Sequence, residues 1–232
     1  MKTHSITSAF LAALLALLAC NTYGQGTILI QHFGDTNPTN EGFSFANGGQ
    51  VGPVTNDMGY NAWSTGAASA DVGYYSLIDN ISGLDWTLTG TLRIVTPNTV
   101  KTFNISLDTG SEDFELTFGS NANDDPEVNL SQEQGVVLNG AGSTYNTYQL
   151  VYNAASDTAD LWVDVVDEIE GFSGEPSSVT PNIGWGAENQ GPLNVANWND
   201  VSLEVSPEPS AISLSFIIGT VLIYVQARKV KG

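Results

Sequence analysis

The sequence predicts an all-β protein, a two-sheet antiparallel β-sandwich flanked by an N-terminal signal helix and a C-terminal hydrophobic helix. Three observations predict the sandwich. Short runs alternate apolar and polar residues with period two, and clusters of Gly, Asn, Asp, Pro and Ser separate them. No convincing amphipathic helix interrupts residues 25–206. Strands spaced about ten residues apart, each with one polar face, bury their apolar faces by packing two sheets together.

The clearest strand is Asp85–Val95, with Trp86, Leu88, Leu92 and Ile94 on one face and Thr87, Thr89, Thr91 and Arg93 on the other. Lys101–Asp108 repeats the scheme with Phe103, Ile105 and Leu107 inward, and Glu112–Phe118 with Phe114, Leu116 and Phe118. Thr147–Tyr152 and Asp160–Asp167 follow, the latter with Leu161, Val163 and Val165 inward. A last strand carries Val201, Leu203 and Val205. His32 is expected partly exposed at the end of a first strand.

The two ends read differently. Lys2 precedes an uncharged apolar stretch, Ile6 to Ala19, and Thr22 and Gly24 stand at −3 and −1 of a cut before Gln25, so residues 1–24 read as a secretory signal peptide. Leu17-Leu18-Ala19-Cys20 is close to a lipoprotein box, which leaves lipidation of Cys20 as a second option. Either way the exported part has no cysteine pair and no internal disulfide. At the other end, residues 207–232 join Pro207-Glu208-Pro209 to an apolar run, 211–225, and a basic cap of Arg228, Lys229 and Lys231. At about 1.5 Å per helical residue that run spans roughly 22 Å, against about 30 Å of hydrocarbon. It suits a temporary hold, with the basic cap in the cytoplasm and residues 25–206 outside.

This tail resembles the PEP-CTERM sorting signal of Gram-negative bacteria that make extracellular polysaccharide. The resemblance implies an exosortase-type processing enzyme as partner, transient residence in the inner membrane through the C-terminal helix, and a final place at the cell surface or outside. An ordinary single-span tail anchor is the other reading of the same residues.

Of the 25 acidic residues only Glu208 lies outside residues 25–206, whereas of the six basic residues only Arg93 and Lys101 lie inside. So acidic a domain repels nucleic acid and anionic lipid and attracts cations. Its field also keeps the protein dispersed, and solubility alone is a sufficient reason for it.

Tyr145-Asn146-Thr147-Tyr148-Gln149-Leu150-Val151-Tyr152, followed by Asp160-Leu161-Trp162-Val163-Asp164, resembles a hairpin of concanavalin A-like (laminin-G-like) lectin/glucanase domains. Ile183-Gly184-Trp185-Gly186-Ala187 and Asn197–Leu203 resemble their later strands. The resemblance implies a jelly roll and carbohydrate binding. That family often has Gly after the Asp at 164; Val165 stands here instead, which places the expected turn near Gly171. Residues 26–83 match no pattern of this kind.

Several residue groups are candidates for chemistry. Asn121, Asn123, Asp125 and Glu127 alternate oxygen-bearing side chains, and calcium takes about six to eight such ligands; the same residues also make an ordinary polar turn. Trp162 has the opposite parity to Leu161 and Val163, so it faces outward and with Asp164 could hold one sugar unit. Trp63, Trp185 and Trp198 are further stacking platforms if they face solvent, and core residues if they do not. Asp164, Asp167, Glu168 and Glu170 invite comparison with glycosidases on this fold, but the Glu-x-Asp-x-x-Glu spacing is missing. There is no Gly-x-Ser-x-Gly elbow, no His pair and no exported Cys pair, which argues against nucleophilic triads and zinc. Asn80-Ile81-Ser82, Asn104-Ile105-Ser106 and Asn129-Leu130-Ser131 match a glycosylation pattern that such a chain contains by chance. The expected function is a non-catalytic exported protein associated with exopolysaccharide; a surface glycan hydrolase or lyase is the alternative.

Overall fold

Residues Trp86–Ile94 set the pattern for the whole fold: every second side chain is buried and its neighbours are half-exposed. A strand pleats with period two, so this alternation delivers one apolar face to a core. The computed structural model describes residues 26–46, 50–67, 72–96, 102–130, 134–138, 144–188 and 194–206. The signal segment 1–24, Pro207-Glu208-Pro209, the apolar run 211–225, Arg228, Lys229 and Lys231 lie outside the described residues, and so do both expected flanking helices. Among the described residues no helix is long and apolar enough to cross a membrane.

Ile28–Val205 forms one compact unit. It is all-β, with two eight-stranded antiparallel sheets. Sheet A holds β1 (Thr27–Phe33), β3 (Gln50–Asp57), β4 (Tyr60–Ala67), β6 (Trp86–Ile94), β11 (Asn146–Asn153), β12 (Thr158–Val163), β13 (Val166–Phe172) and β16 (Asn194–Val205). Its order is β13-β12-β11-β6-β16-β4-β3, with β1 also on β16. Sheet B holds β2 (Ser44–Ala46), β5 (Val72–Leu77), β7 (Phe103–Asp108), β8 (Glu112–Ser120), β9 (Pro126–Leu130), β10 (Gln134–Val137), β14 (Glu175–Pro176) and β15 (Asn182–Ala187). Its order is β10-β9-β8-β7-β15-β5-β2, with β14 on β8.

The strands legible as alternating runs are where the sequence places them, with Leu88, Ile105, Leu107, Phe114, Leu116, Leu150, Leu161, Val201 and Leu203 buried. Aromatic rings join the sheets. Trp86 meets Phe114 edge-on at 5.0 Å, Phe118 meets Tyr148 at 4.8 Å, and Trp185 lies 5.3 Å from Trp198. Such edge and tilted contacts add to the area each ring buries.

Three expectations are corrected. The Asp160–Asp167 run is not one strand: β12 ends at Val163, and Asp164-Val165 make a two-residue hairpin turn with φ of 48° and 70°. Val165 is therefore 86% exposed at the tip, not in the core. The hairpin needs two left-handed residues there, and strand pairing imposes them even on a β-branched side chain. His32 is fully buried. Its Nδ1 bonds Glu41 Oε2 at 2.7 Å, and its ring stacks on Trp185 at 4.8 Å. A 3₁₀ turn, Pro38–Glu41, capped by the Asn37 side chain, carries Glu41 back to it. Trp63, Trp185 and Trp198 are all buried, and two of the indole N–H groups are spent inside. Trp63 Nε1 donates to Tyr74 Oη at 2.9 Å and Trp198 Nε1 to Thr65 Oγ1 at 2.7 Å. They are core, not sugar platforms.

Candidate functional site

Strand β15 reads Ile183-Gly184-Trp185-Gly186-Ala187, with Ile183, Trp185 and Ala187 packed into the core. Both outward positions are glycine, so the outer face of sheet B is bare at its middle. In the register of the sheet, Gly184 lies between Tyr75 of β5 and Ser106 of β7, and Gly186 between Gly73 and Asn104. Three glycines from two strands thus form a floor of backbone. The result is an open groove of about 340 Å³.

One wall is Tyr75, 44% exposed, with Ala46 of the edge strand β2 beside Gly73. The opposite wall is Asn104 and Ser106, with Glu188 at the end of β15. Asn104 Nδ2 donates to Glu115 Oε1 at 3.0 Å and to Glu188 Oε1 at 3.0 Å. Glu188 is fixed from behind, its own N–H donating to the Thr102 carbonyl at 2.7 Å. Farther along the same face, burial and then the neighbouring charges of Glu115, Asp108 and Glu175 push the Asp113 carboxyl above its ordinary value. Among the described residues the only Lys or Arg is Arg93, on sheet A. The groove thus sets an aromatic ring across a glycine floor from an amide, a hydroxyl and one carboxylate, a combination suited to a flat, hydroxyl-rich ligand.

Of the candidates singled out from sequence, Trp185 lines this groove, with its side chain buried in the core, and the others named below lie elsewhere. Trp162 is half-exposed on the outer face of sheet A, across from Gln149. Asp164 is committed to the backbone: Oδ1 accepts from Thr147 N at 2.8 Å, and Asp164 N donates to the Thr147 carbonyl at 2.9 Å. Asn121 and Asp125 come together in a turn in which Asn121 Oδ1 accepts from Asn123 N at 2.8 Å and from Asp125 N at 3.0 Å. Glu127 lies further on, in β9, opposite Val137. Among the described residues no three His, Cys, Asp or Glu side chains are grouped to hold a metal ion. Glu168 and Glu170 are exposed on either side of buried Ile169.

A second polar cluster sits on sheet A. Asp57, at the β3–β4 hairpin, accepts from the Arg93 guanidinium, from Tyr145 Oη at 3.0 Å and from Asn197 Nδ2 at 2.7 Å. Tyr145 also stacks on Tyr60 at 4.4 Å. Burial works against the Asp57 charge, but the bonds from Asn197, Arg93 and Tyr145 outweigh it and hold the carboxyl below its ordinary value. Through these bonds the cluster ties the hairpin tip across β16 to β6.

No family model matches the sequence, and no curated protein matches it. Among solved structures it is similar to a conserved carbohydrate esterase from the Shiga toxin-encoding bacteriophage phi24B. That likeness has a TM-score of 0.59 and 12% identity, and covers 79% of this chain and 100% of that one. It is also similar to botulinum neurotoxin type C, whose cell entry depends on interaction with two ganglioside molecules (TM-score 0.54, 8% identity, 83% of this chain and 51% of that one). The binding domain of botulinum neurotoxin DC, solved with rat synaptotagmin II, gives a TM-score of 0.53 at 9% identity, over 76% of this chain and 48% of that one. The chain spans about half the length of these neurotoxin chains. At such identities the likeness is one of fold: a β-sandwich.

Proposed function

We propose that the chain is an exported β-sandwich that binds glycan in the glycine-floored groove of sheet B. The observation that carries this is the pairing of outward Tyr75 with the Asn104 wall across Gly73, Gly184 and Gly186. Pyranose rings present an apolar face and an equatorial belt of hydroxyls, and such a groove meets both. The solved structures of similar fold include a carbohydrate esterase and a toxin that engages gangliosides, which supports the reading.

The signal peptide at 1–24 and the PEP-CTERM tail at 207–232 would deliver residues 25–206 to the outside, with exosortase-type processing of the tail. The concanavalin A-like resemblance of the strands from Tyr145 to Leu203 supports a jelly roll with the same role. Retention of the mature protein on the producer's own exopolysaccharide, against a denatured control, tests the binding reading. Retention is expected for the native protein and its loss for Tyr75→Ala. Equal retention of both would sink the groove as the site. Mass spectrometry of protein from membrane and medium tests the termini; an intact 232-residue chain in the medium would exclude processing.

A further inference from the structure

We infer that one end of the sandwich, the end at which β16 finishes, seats on a lipid bilayer while the C-terminal tail holds the chain there. The inference rests on the reading of residues 207–232 as a membrane-held tail, and adds a contact that the tail alone does not require. Val205 closes β16 opposite Trp86, and the loop between Leu77 and Trp86 joins the end of β5 to the start of β6. Both sheets therefore finish here, and apolar side chains stay in solvent. Ile28 has the parity of Ile30 and His32, which are buried, yet it is 54% exposed: it faces inward beyond the point where the core stops. Leu77, 66% exposed, joins Leu29, Ile30 and Ile78 around a concavity of about 330 Å³. Val179 stands exposed on the neighbouring loop, whose Pro181 carbonyl accepts from Ile78 N at 3.1 Å. An apolar cluster of this kind marks a surface that meets a partner.

Chain length says which partner. Five residues, 206–210, separate Val205 from the apolar run that begins at Ala211. Fully extended, they reach at most roughly 20 Å. With the run 211–225 in the hydrocarbon, this end is held against the headgroups, and its apolar side chains are what meets them. So short a tether gives the patch an effective concentration on the order of millimolar at the surface, enough for a weak contact to persist. Asp79 lines the concavity, and Asp85 and Glu204 stand next to Trp86 and Val205. These carboxylates oppose an anionic surface, so the lipid that suits the patch is zwitterionic. Seated on this end, the sandwich leaves the outer face of sheet B, with its groove, open sideways to glycan.

The test uses the signal-processed chain, residues 25–232, which has no cysteine of its own, in phosphatidylcholine nanodiscs. A polarity-sensitive dye is attached through Leu77→Cys or through Val165→Cys, the latter at the opposite end of the strands. The dye at 77 is expected to shift to the blue and to be quenched by brominated lipid, whereas the dye at 165 reads solvent. Ile28→Asp with Val179→Asp, both exposed and outside the core, should return the dye at 77 to its solvent spectrum. A dye at 77 that reads solvent in chains retained on the nanodiscs overturns the inference and leaves the tail reading standing. A blue shift without lipid quenching that grows with protein concentration assigns the patch to a second copy, and overturns it too. Failure of the chain to join the nanodiscs overturns both.

Discussion

Ile105 of β7 fills the space over Gly90 of β6: a Cβ built on Gly90 would lie 2.2 Å from Ile105 Cδ1. The two residues sit on different sheets, at the centre of the sandwich, and fix how closely the sheets approach. Gly90→Ala should therefore cost about 1–3 kcal/mol through overpacking. Ile105→Val removes the clashing carbon at a cost of about 0.5–1.5 kcal/mol. The double variant should be more stable than the sum of the two losses by at least about 0.5 kcal/mol, as expected of residues in contact. Urea midpoints of the four proteins measure that coupling; strict additivity would mean that the pair does not set the spacing.

Asp164 and Val165 make a second test. Val165 holds φ at 70° with a β-branched side chain, a conformation that costs an L-residue about 1–2 kcal/mol. Val165→Gly gives the Asp-Gly pair this turn favours and should stabilise by about 0.5–1 kcal/mol after the entropy of glycine in the unfolded chain is counted. Asp164→Ala should destabilise by about 1 kcal/mol, because the Thr147 N–H loses its acceptor. Thermal unfolding of both variants decides the matter, and neither should alter retention on glycan.

Acid should weaken the fold in a particular order. His32 is held below its ordinary pKa of 6.5 by burial, which outweighs the opposing pull of Glu41, Asp200 and Asp35. The unfolded chain thus takes up that proton first, and stability is lost as pH falls below about 6.5 toward the folded value. Asp57, also depressed, adds a loss below its ordinary 3.8. Asp113 and Glu112 act in the opposite sense: burial raises both, so protonation in the native state relieves a penalty present at neutral pH. Denaturation midpoints at closely spaced pH values should show a decline beginning near 6.5 that His32→Gln flattens. An unchanged slope in that variant would mean that His32 is not the source of the decline.

The groove glycines should separate cleanly. A Cβ on Gly184 would sit 3.0 Å from Ser106 Oγ, a hydroxyl able to turn aside. A Cβ on Gly186 would sit 2.2 Å from the Val72 carbonyl oxygen, part of a paired strand. Gly184→Val should keep the fold and lose glycan retention at least about tenfold, since its side chain occupies the floor. Gly186→Ala should unfold at distinctly lower denaturant. If Gly184→Val binds as well as the native protein, the ligand sits elsewhere, and Trp162→Ala on sheet A becomes the informative variant.

Much of the fold was legible because strands such as Trp86–Ile94 and Phe103–Asp108 keep strict alternation, and burial follows parity along them. The segment before Leu84 was not. There β3 includes Pro53 and a register shift before Asp57, β2 is three residues long, and β1 is largely exposed, so period two is broken. The hairpin at Asp164 was misplaced for a related reason: local preference speaks against Val165 in a left-handed turn, and the pairing of β12 with β13 overrides it. The groove was overlooked because its floor is defined by missing side chains. Its signal was present in β15, where both outward positions are glycine, and in Asn104-Ile105-Ser106, set aside as a chance glycosylation match. What no single strand could reveal is that Glu115 and Glu188, far apart in sequence, meet on one amide.

Four of the five tryptophans, Trp63, Trp86, Trp185 and Trp198, are packed between the sheets. Their emission should be blue-shifted and should move sharply to the red on melting, which makes intrinsic fluorescence a sensitive gauge of unfolding. The same burial makes it a poor gauge of occupancy. A sugar in the groove would rest on the backbone around Trp185 while the indole lies on the far side of the sheet. Titrations followed by quenching would register little even at saturation, and a silent fluorescence trace would say nothing against binding.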